Sequence, residues 1–462
     1  MTEAAAAPRL RTLLELAWPV VVSRSTQVVV GLTDAVMVAS LGEAALAATT
    51  TGALNTFNLL ILPMGIVFIV QSFASQLFGK GDLPGARRYA WYGLSVALVT
   101  GLASMIVQPF VGPALGLLTY EDAVRQQMTA YLEIRLLSAA AAIGIEALGA
   151  YYGGLGNTRM PMFANVLAMV ANVALNWVFI YGHLGVPALG VTGAAIASAV
   201  ASWIAFAGLF TAFYTGRGGG AGRASKLQFR ELRRMLRFGL PSGLNWFFEF
   251  LAFSFFVNVV VAGLGTTSLA AMMAVLQLNS MSFMPAFGFA TAAAILVGQA
   301  IGADRKQDVP PTTLLALKVV STWQGLVGLA YLAFPGGLLA PFATQASSEF
   351  VEVGRRMLML SVAWQLFDAA SITLGEVLRA AGDTSFPMWA RTAIAWLLFA
   401  PGSYWTVSVR GGGDLAAIGW IVFYLFSLCA VLTYRFRSGA WRHIELVDPL
   451  ASVEASAPQL PP

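Results

Sequence analysis

Three carboxylates interrupt apolar stretches in which a negative charge is costly: Asp34 in GLTDAVMV, Glu249 in WFFEFLAF and Asp368 in WQLFDAAS. An ionisable side chain at the centre of a membrane helix costs about 2.5–3.5 kcal/mol on insertion scales, so it persists where it pairs, titrates or handles an ion. Each acid has neighbours suited to such work. Asn172 and Asn176 are spaced i, i+4, which puts both amides on one helical face, and Thr192 and Ser198 follow in the next apolar run. One carboxylate with these oxygen ligands would hold Na⁺, or stabilise a proton on Asp34. Glu249 and Asp368, if they face each other, would share a proton or bind a monovalent cation, with Trp364 one turn before Asp368. Arg24, in the same run as Asp34, snorkels toward the interface, pairs with an acid such as Glu146 or Glu376, or stands as a charge in a cavity. Trp246, Phe253, Met281 and Phe283 make a candidate substrate surface, because polarisable side chains suit promiscuous recognition of flat organic molecules, and Gln27 and Arg24 are its candidate polar members.

Membrane helices must position these groups. Of 462 residues, 58% are hydrophobic and 11% charged, with mean hydropathy +0.73; a soluble domain carries about 25% charged residues. A bilayer core of about 30 Å needs roughly 20 apolar residues per helix. Twelve runs qualify, near 13–37, 46–72, 87–110, 126–152, 160–182, 190–214, 236–261, 269–298, 312–338, 352–379, 386–407 and 414–436, the fourth and tenth being the most polar. The expected organisation is a segment 1–12, a first lobe 13–214, a connector 215–235, a second lobe 236–436 and a tail 437–462.

Charge placement sets the orientation. Arg9, Arg11, Lys80, Arg87, Arg88, Arg159, Arg305, Lys306, Arg435, Arg437 and Arg442 fall on one side, with a connector rich in arginine. The positive-inside rule puts both termini and the connector in the cytoplasm of a multi-pass cell-membrane protein. The net charge of +5 thus reports topology, and no nucleic-acid partner is expected. On this orientation Asp34 lies about one turn from the outer end of its helix at 1.5 Å per residue. The asparagines, Thr192 and Ser198 come to comparable depth. GRGGGAG at 216–222 reads as flexible linker and the tail beyond Leu446 as disordered. MTEAAAAPRL lacks the features of a cleavable signal peptide. Cys429 is the only cysteine, and His183 and His443 are the only histidines, so no disulfide within the chain and no Cys-rich metal site is expected. No lysine lies in a Walker A context, which argues against direct ATP hydrolysis. Pro19, Pro63, Pro241 and Pro285 remove backbone hydrogen bonds inside helices and are candidate kinks or hinges.

The chain repeats itself. LAWP at 16–19 answers to FGLP at 238–241, LGEAALAA at 41–48 to LGTTSLAA at 264–271, SQLFG at 75–79 to GQAIG at 298–302, and GNTRMPM at 156–162 to GDTSFPM at 382–388. The four blocks keep their order, and the interval between the copies is nearly constant. Each copy holds six helices, an even number, so both insert the same way up. Gln27 aligns with Glu249, whereas Asp34 aligns with the apolar stretch around Phe256.

These blocks, covering about residues 12–436, resemble the multidrug and toxic compound extrusion (MATE) family, in its NorM-like branch. The resemblance implies an all-α fold of twelve transmembrane helices in two pseudo-symmetric six-helix lobes around a central cavity. It also implies export of organic, often cationic, compounds by alternating access in exchange for Na⁺ or H⁺, with no cofactor and no enzymatic step. It assigns a cation site in the first lobe to Asp34, Asn172 and Asn176, with Ser198 a looser match, and one in the second lobe to Glu249 and Asp368. Trp364 stands where the family usually has a tyrosine. The expected partners are small organic molecules and lipid, and the expected state is a monomer. Two rivals are a lipid-linked oligosaccharide flippase, which favours a strongly cationic cavity and extra helices, and a membrane-embedded acyltransferase, for which His183 would need a catalytic partner.

Overall fold

A computed structural model describes residues 10–117, 120–219, 226–342 and 348–447. The first nine residues, the end of the glycine-rich linker at 220–222 and the tail from 448 onward lie outside the described residues. Among those described, the regular structure is entirely helical.

Twelve helical stretches follow the twelve apolar runs. They are α1 (Leu10–Ala39), α2 (Glu43–Gly79), α3 (Leu83–Leu115), α4 (Asp122–Leu136 with Ala139–Gly154), α5 (Arg159–Tyr181), α6 (Gly190–Tyr214), α7 (Phe229–Leu264), α8 (Thr266–Gly302), α9 (Lys306–Ala333), α10 (Glu349–Ala380), α11 (385–409) and α12 (Gly413–Arg437). Ten are long and apolar enough to cross a membrane, and α4 makes an eleventh as a pair bent by 49°. The remaining stretch, α11, is helical throughout, but π-helical turns at Ile394–Phe399 and Tyr404–Val409 flank a short α segment that holds Pro401. A proline donates no backbone hydrogen bond, and the wider turns lie on either side of it.

The sequence repeat is a backbone repeat. Gly42 and Gly265 precede α2 and α8 with φ of 110° and 105° and ψ of 171° and 168°. Such a conformation is open essentially to glycine alone, so LGEAALAA and LGTTSLAA start their helices by the same device.

The chain forms two compact units, one of residues 22–243 and one of residues 1–21 with 244–462. The crossings fall inside α1 and α7, shortly after Pro19 and Pro241. The early part of α1 therefore packs with the second half of the chain, and the early part of α7 with the first half. Glycines make both contacts close. A Cβ on Gly65 of α2 would meet the Gly243 Cα of α7 at 2.6 Å, and one on Gly288 of α8 would meet Val21 Cγ2 of α1 at 2.5 Å. In the register set by LGEAALAA and LGTTSLAA, Gly65 and Gly288 are equivalent positions of the repeat.

Two expectations are corrected at the connector. The helix expected from 236 begins at Phe229, because Glu231 is held on arrival. Arg88 Nε and Nη2 donate to its two oxygens at 2.9 Å each, and the Tyr92 hydroxyl adds a bond of 2.8 Å. The start of the expected linker is likewise fastened. Tyr151 and Tyr152 donate to the Gly219 and Arg217 carbonyls at 2.9 Å each, and Asn157 to Gly218 at 3.0 Å.

Candidate cation and substrate sites

In the unit of residues 22–243, α1, α5 and α6 bring four of the expected residues together. Asp34 is 8% exposed, Asn172 2% and Asn176 0%. Asn176 Nδ2 donates to Asp34 Oδ1 at 2.5 Å, and Ser198 Oγ to Asp34 Oδ2 at 3.3 Å. Asn172 Nδ2 donates to Ser198 Oγ at 2.9 Å, and Asn176 Nδ2 to Asn172 Oδ1 at 3.3 Å. The i, i+4 spacing along α5 is what gathers both amides beside one carboxylate. Asn176 Oδ1 is buried and accepts no hydrogen bond, which is costly in an apolar interior. A carboxylate with hard oxygens near it and one unused acceptor suits Na⁺; the same carboxylate, once protonated, would donate to an acceptor such as the Ser198 hydroxyl oxygen after that hydroxyl turns. Thr192 makes no hydrogen bond to this cluster among the described residues.

One neighbour was not foreseen. Arg135 of α4 acts on Asp34 through space, without an ion pair between them among the described residues. Its Nη1 donates to Ser138 Oγ at 3.4 Å, and its Nε is buried without a partner.

Arg24 has a definite partner. Its Nη2 lies 2.7 Å from Glu146 Oε1, with side chains 17% and 11% exposed, and its guanidinium is 5.8 Å from the Phe68 ring centroid. Glu376, the other partner considered, pairs with Arg379 at 2.5 Å. Gln27 is exposed on α1.

In the other unit, no hydrogen bond joins Glu249 of α7 to Asp368 among the described residues. Arg391 of α11 forms a direct ion pair with Glu249 Oε1, and the Tyr424 hydroxyl of α12 donates to the same oxygen at 3.3 Å. Asp368 of α10 accepts from Gln324 Nε2 of α9 at 3.4 Å and is within electrostatic reach of both Glu249 and Arg391. Trp364 packs in the apolar core of this unit and makes no hydrogen bond to either carboxylate among the described residues. The residue that follows it, Gln365, donates from Nε2 to Asn279 Oδ1 of α8 at 2.8 Å. Trp246, Phe253 and Phe283 are half-buried, and Met281 is 66% exposed. Phe283 stacks on Phe287 with centroids 6.1 Å apart.

The sequence profile of the MatE family matches residues 19–178 and again residues 241–405. The chain belongs to the MatE family. The two matches begin at Pro19 and Pro241, the paired prolines of the first repeated block, so each half carries the family pattern. Among curated relatives, the multidrug resistance protein NorM of Aliivibrio fischeri is 27% identical over 421 residues, covering 88% of this chain and 87% of that one. The NorM of Vibrio cholerae is 25% identical over 421 residues, covering 88% of each chain. Among solved structures, an outward-facing multidrug resistance MATE transporter of the MOP superfamily superposes with a TM-score of 0.84 at 20% identity, over 94% of this chain and 96% of that one. A eukaryotic MATE transporter gives 0.81 at 17% identity, over 94% and 96%. Those structural likenesses establish the fold: an all-α, multi-pass membrane protein of the MATE type.

Proposed function

We propose that this MatE-family chain is a secondary active multidrug exporter that expels organic small molecules across the cell membrane in exchange for Na⁺ or H⁺. The observation that carries the coupling is the buried cluster Asp34–Asn172–Asn176–Ser198, a membrane carboxylate ringed by neutral oxygen and amide groups with one bare acceptor. The export of drugs rests on likeness to relatives named multidrug resistance proteins along most of both chains.

The energetics require a gradient, worth about 2.3 kcal/mol per elementary charge per 100 mV. A cation entering from outside binds Asp34 and thereby favours one arrangement of the protein over another. Exchange follows only if cation and drug favour different arrangements, since a ligand shifts an equilibrium solely by its differential affinity. The passages of α1 and α7 from one unit to the other, next to Pro19 and Pro241, are the natural places for such a rearrangement to be accommodated, because the helical ladder is already interrupted there. Both termini lie in the cytoplasm on this reading, as the basic loops indicate.

Expression in a bacterial host stripped of its own pumps should raise resistance to cationic aromatic compounds. Asp34→Asn should return the host to full sensitivity while membrane protein levels stay unchanged. Unaltered resistance in that variant would remove Asp34 from the coupling step.

A further inference from the structure

The repeat pairs Glu249 with Gln27 and, in the register of GNTRMPM and GDTSFPM, Arg391 with Asn165. The same two helices of each copy therefore carry an acid and a base in one half and two neutral amides in the other. Asn165 Nδ2 donates to Ser23 Oγ of α1 at 2.7 Å, so both copies join these helices by a polar contact, uncharged in the first and ionic in the second. Both exchanges together leave the local net charge unchanged. That compensation marks Arg391 as the counter-charge of Glu249.

A guanidinium does not lose its proton in a protein. A carboxylate held by it already has its countercharge, and a second cation would have to displace a tethered one. Arg391 is also set in place from behind. A Cβ on Gly375 of α10 would lie 3.8 Å from Arg391 Nη2, so α10, the helix that carries Asp368, offers the guanidinium a side-chain-free surface. Asp34 is different: its direct partners are Asn176 and Ser198, both neutral.

We propose that Arg391 is a built-in counter-cation that occupies the cation position at Glu249 and excludes Na⁺ from that carboxylate. Duplicated halves would then differ in kind. The half containing Asp34 takes an exchangeable ion, and the half containing Glu249 carries a tethered one. Of the two membrane carboxylates there, Asp368 is the one with no directly bonded cation among the described residues. The inference rests on the cation-exchange reading above, but its test does not require transport.

Equilibrium binding of radiolabelled Na⁺ to the purified full-length protein in detergent separates the possibilities. Asp34→Asn combined with Asp368→Asn, with Arg391 intact, is expected to show no saturable Na⁺ binding; binding retained in that variant would overturn the proposal. Arg391→Gln in that background is expected to gain saturable Na⁺ binding at Glu249, and Arg391→Lys, which keeps the charge, to gain none. Failure of a monodisperse Arg391→Gln protein to gain Na⁺ also overturns it. If the Asp34 site takes protons only, the gain on Arg391→Gln is still expected. If Arg391→Gln does not fold, Arg391→Met in the same background takes its place, with the same gain expected and the same failure overturning the proposal. Loss of gradient-driven drug movement by the unmodified protein would count against the exchange reading instead, and leaves these binding results untouched.

Discussion

Glu146 depends on Arg24 for its charge neutralisation, and the pair is mostly withdrawn from solvent. Removing one member of a buried pair costs about 3–5 kcal/mol, whereas replacing both with apolar side chains of similar volume is often neutral. Arg24→Ala should therefore lower the unfolding temperature of the detergent-solubilised protein markedly, and Arg24→Met with Glu146→Leu should recover most of the loss. Equal losses in the single and double variants would show that the residues act separately. Much at this scale was legible in the sequence. Asp34, Asn172, Asn176 and Ser198 stood out because a lone acid in an apolar run is costly and an i, i+4 pair shares a face. Arg391 did not, since it bonds across 142 residues of chain and no local spacing announces such a partner. Its signal was the repeat: a charged residue aligned with Asn165, just as Glu249 is aligned with Gln27. Trp364 was singled out by neighbourhood along the helix, but its indole turns into the apolar core.

The existence and order of the helices were readable because a run of about 20 apolar residues is long and unmistakable, while several ends, such as Gly79, Phe229 and Lys306, lie six or seven residues from where the apolar runs put them. Where helices meet was not readable, for contact depends on small residues whose partners lie far along the chain. Gly239 and Gly243 of α7, one turn apart, both press on the backbone of α2: a Cβ on Gly239 would lie 2.8 Å from the Ile66 carbonyl oxygen, and one on Gly243 2.5 Å from that of Leu62. This is the small-residue approach used by membrane helices, which gain little from hydrophobic exclusion against lipid. Gly243→Ala must push α7 from α2 and should destabilise the protein by about 1–3 kcal/mol, as overpacking does. Gly325→Ala, inside α9, where an added Cβ meets nothing within 4 Å, is the control and should leave the unfolding midpoint unlowered or slightly raised. Similar midpoints for the two variants would contradict the close crossing. The early start of α7 escaped the sequence reading for a related reason: Glu231 looks like a loop residue until Arg88 and Tyr92 are brought beside it.

For the molecule as a whole, duplication sets the frame and charge breaks its symmetry. Matching glycines start α2 and α8 with the same backbone angles, and matching glycines admit α7 and α1 against α2 and α8. The acids follow no such rule. Asp34 sits among neutral donors in one unit, while Glu249 sits against a guanidinium in the other. A protein so arranged is expected to move drugs against a cation gradient sensed through Asp34. The most direct test uses reconstituted vesicles loaded with a fluorescent cationic dye, with Na⁺ or H⁺ imposed in excess on the opposite side. The unmodified protein should release dye faster when one of these gradients is present, and Asp34→Asn should be indifferent to both. Dye movement by the unmodified protein that ignores both gradients, or an Asp34→Asn variant that responds like the unmodified protein, would contradict the account.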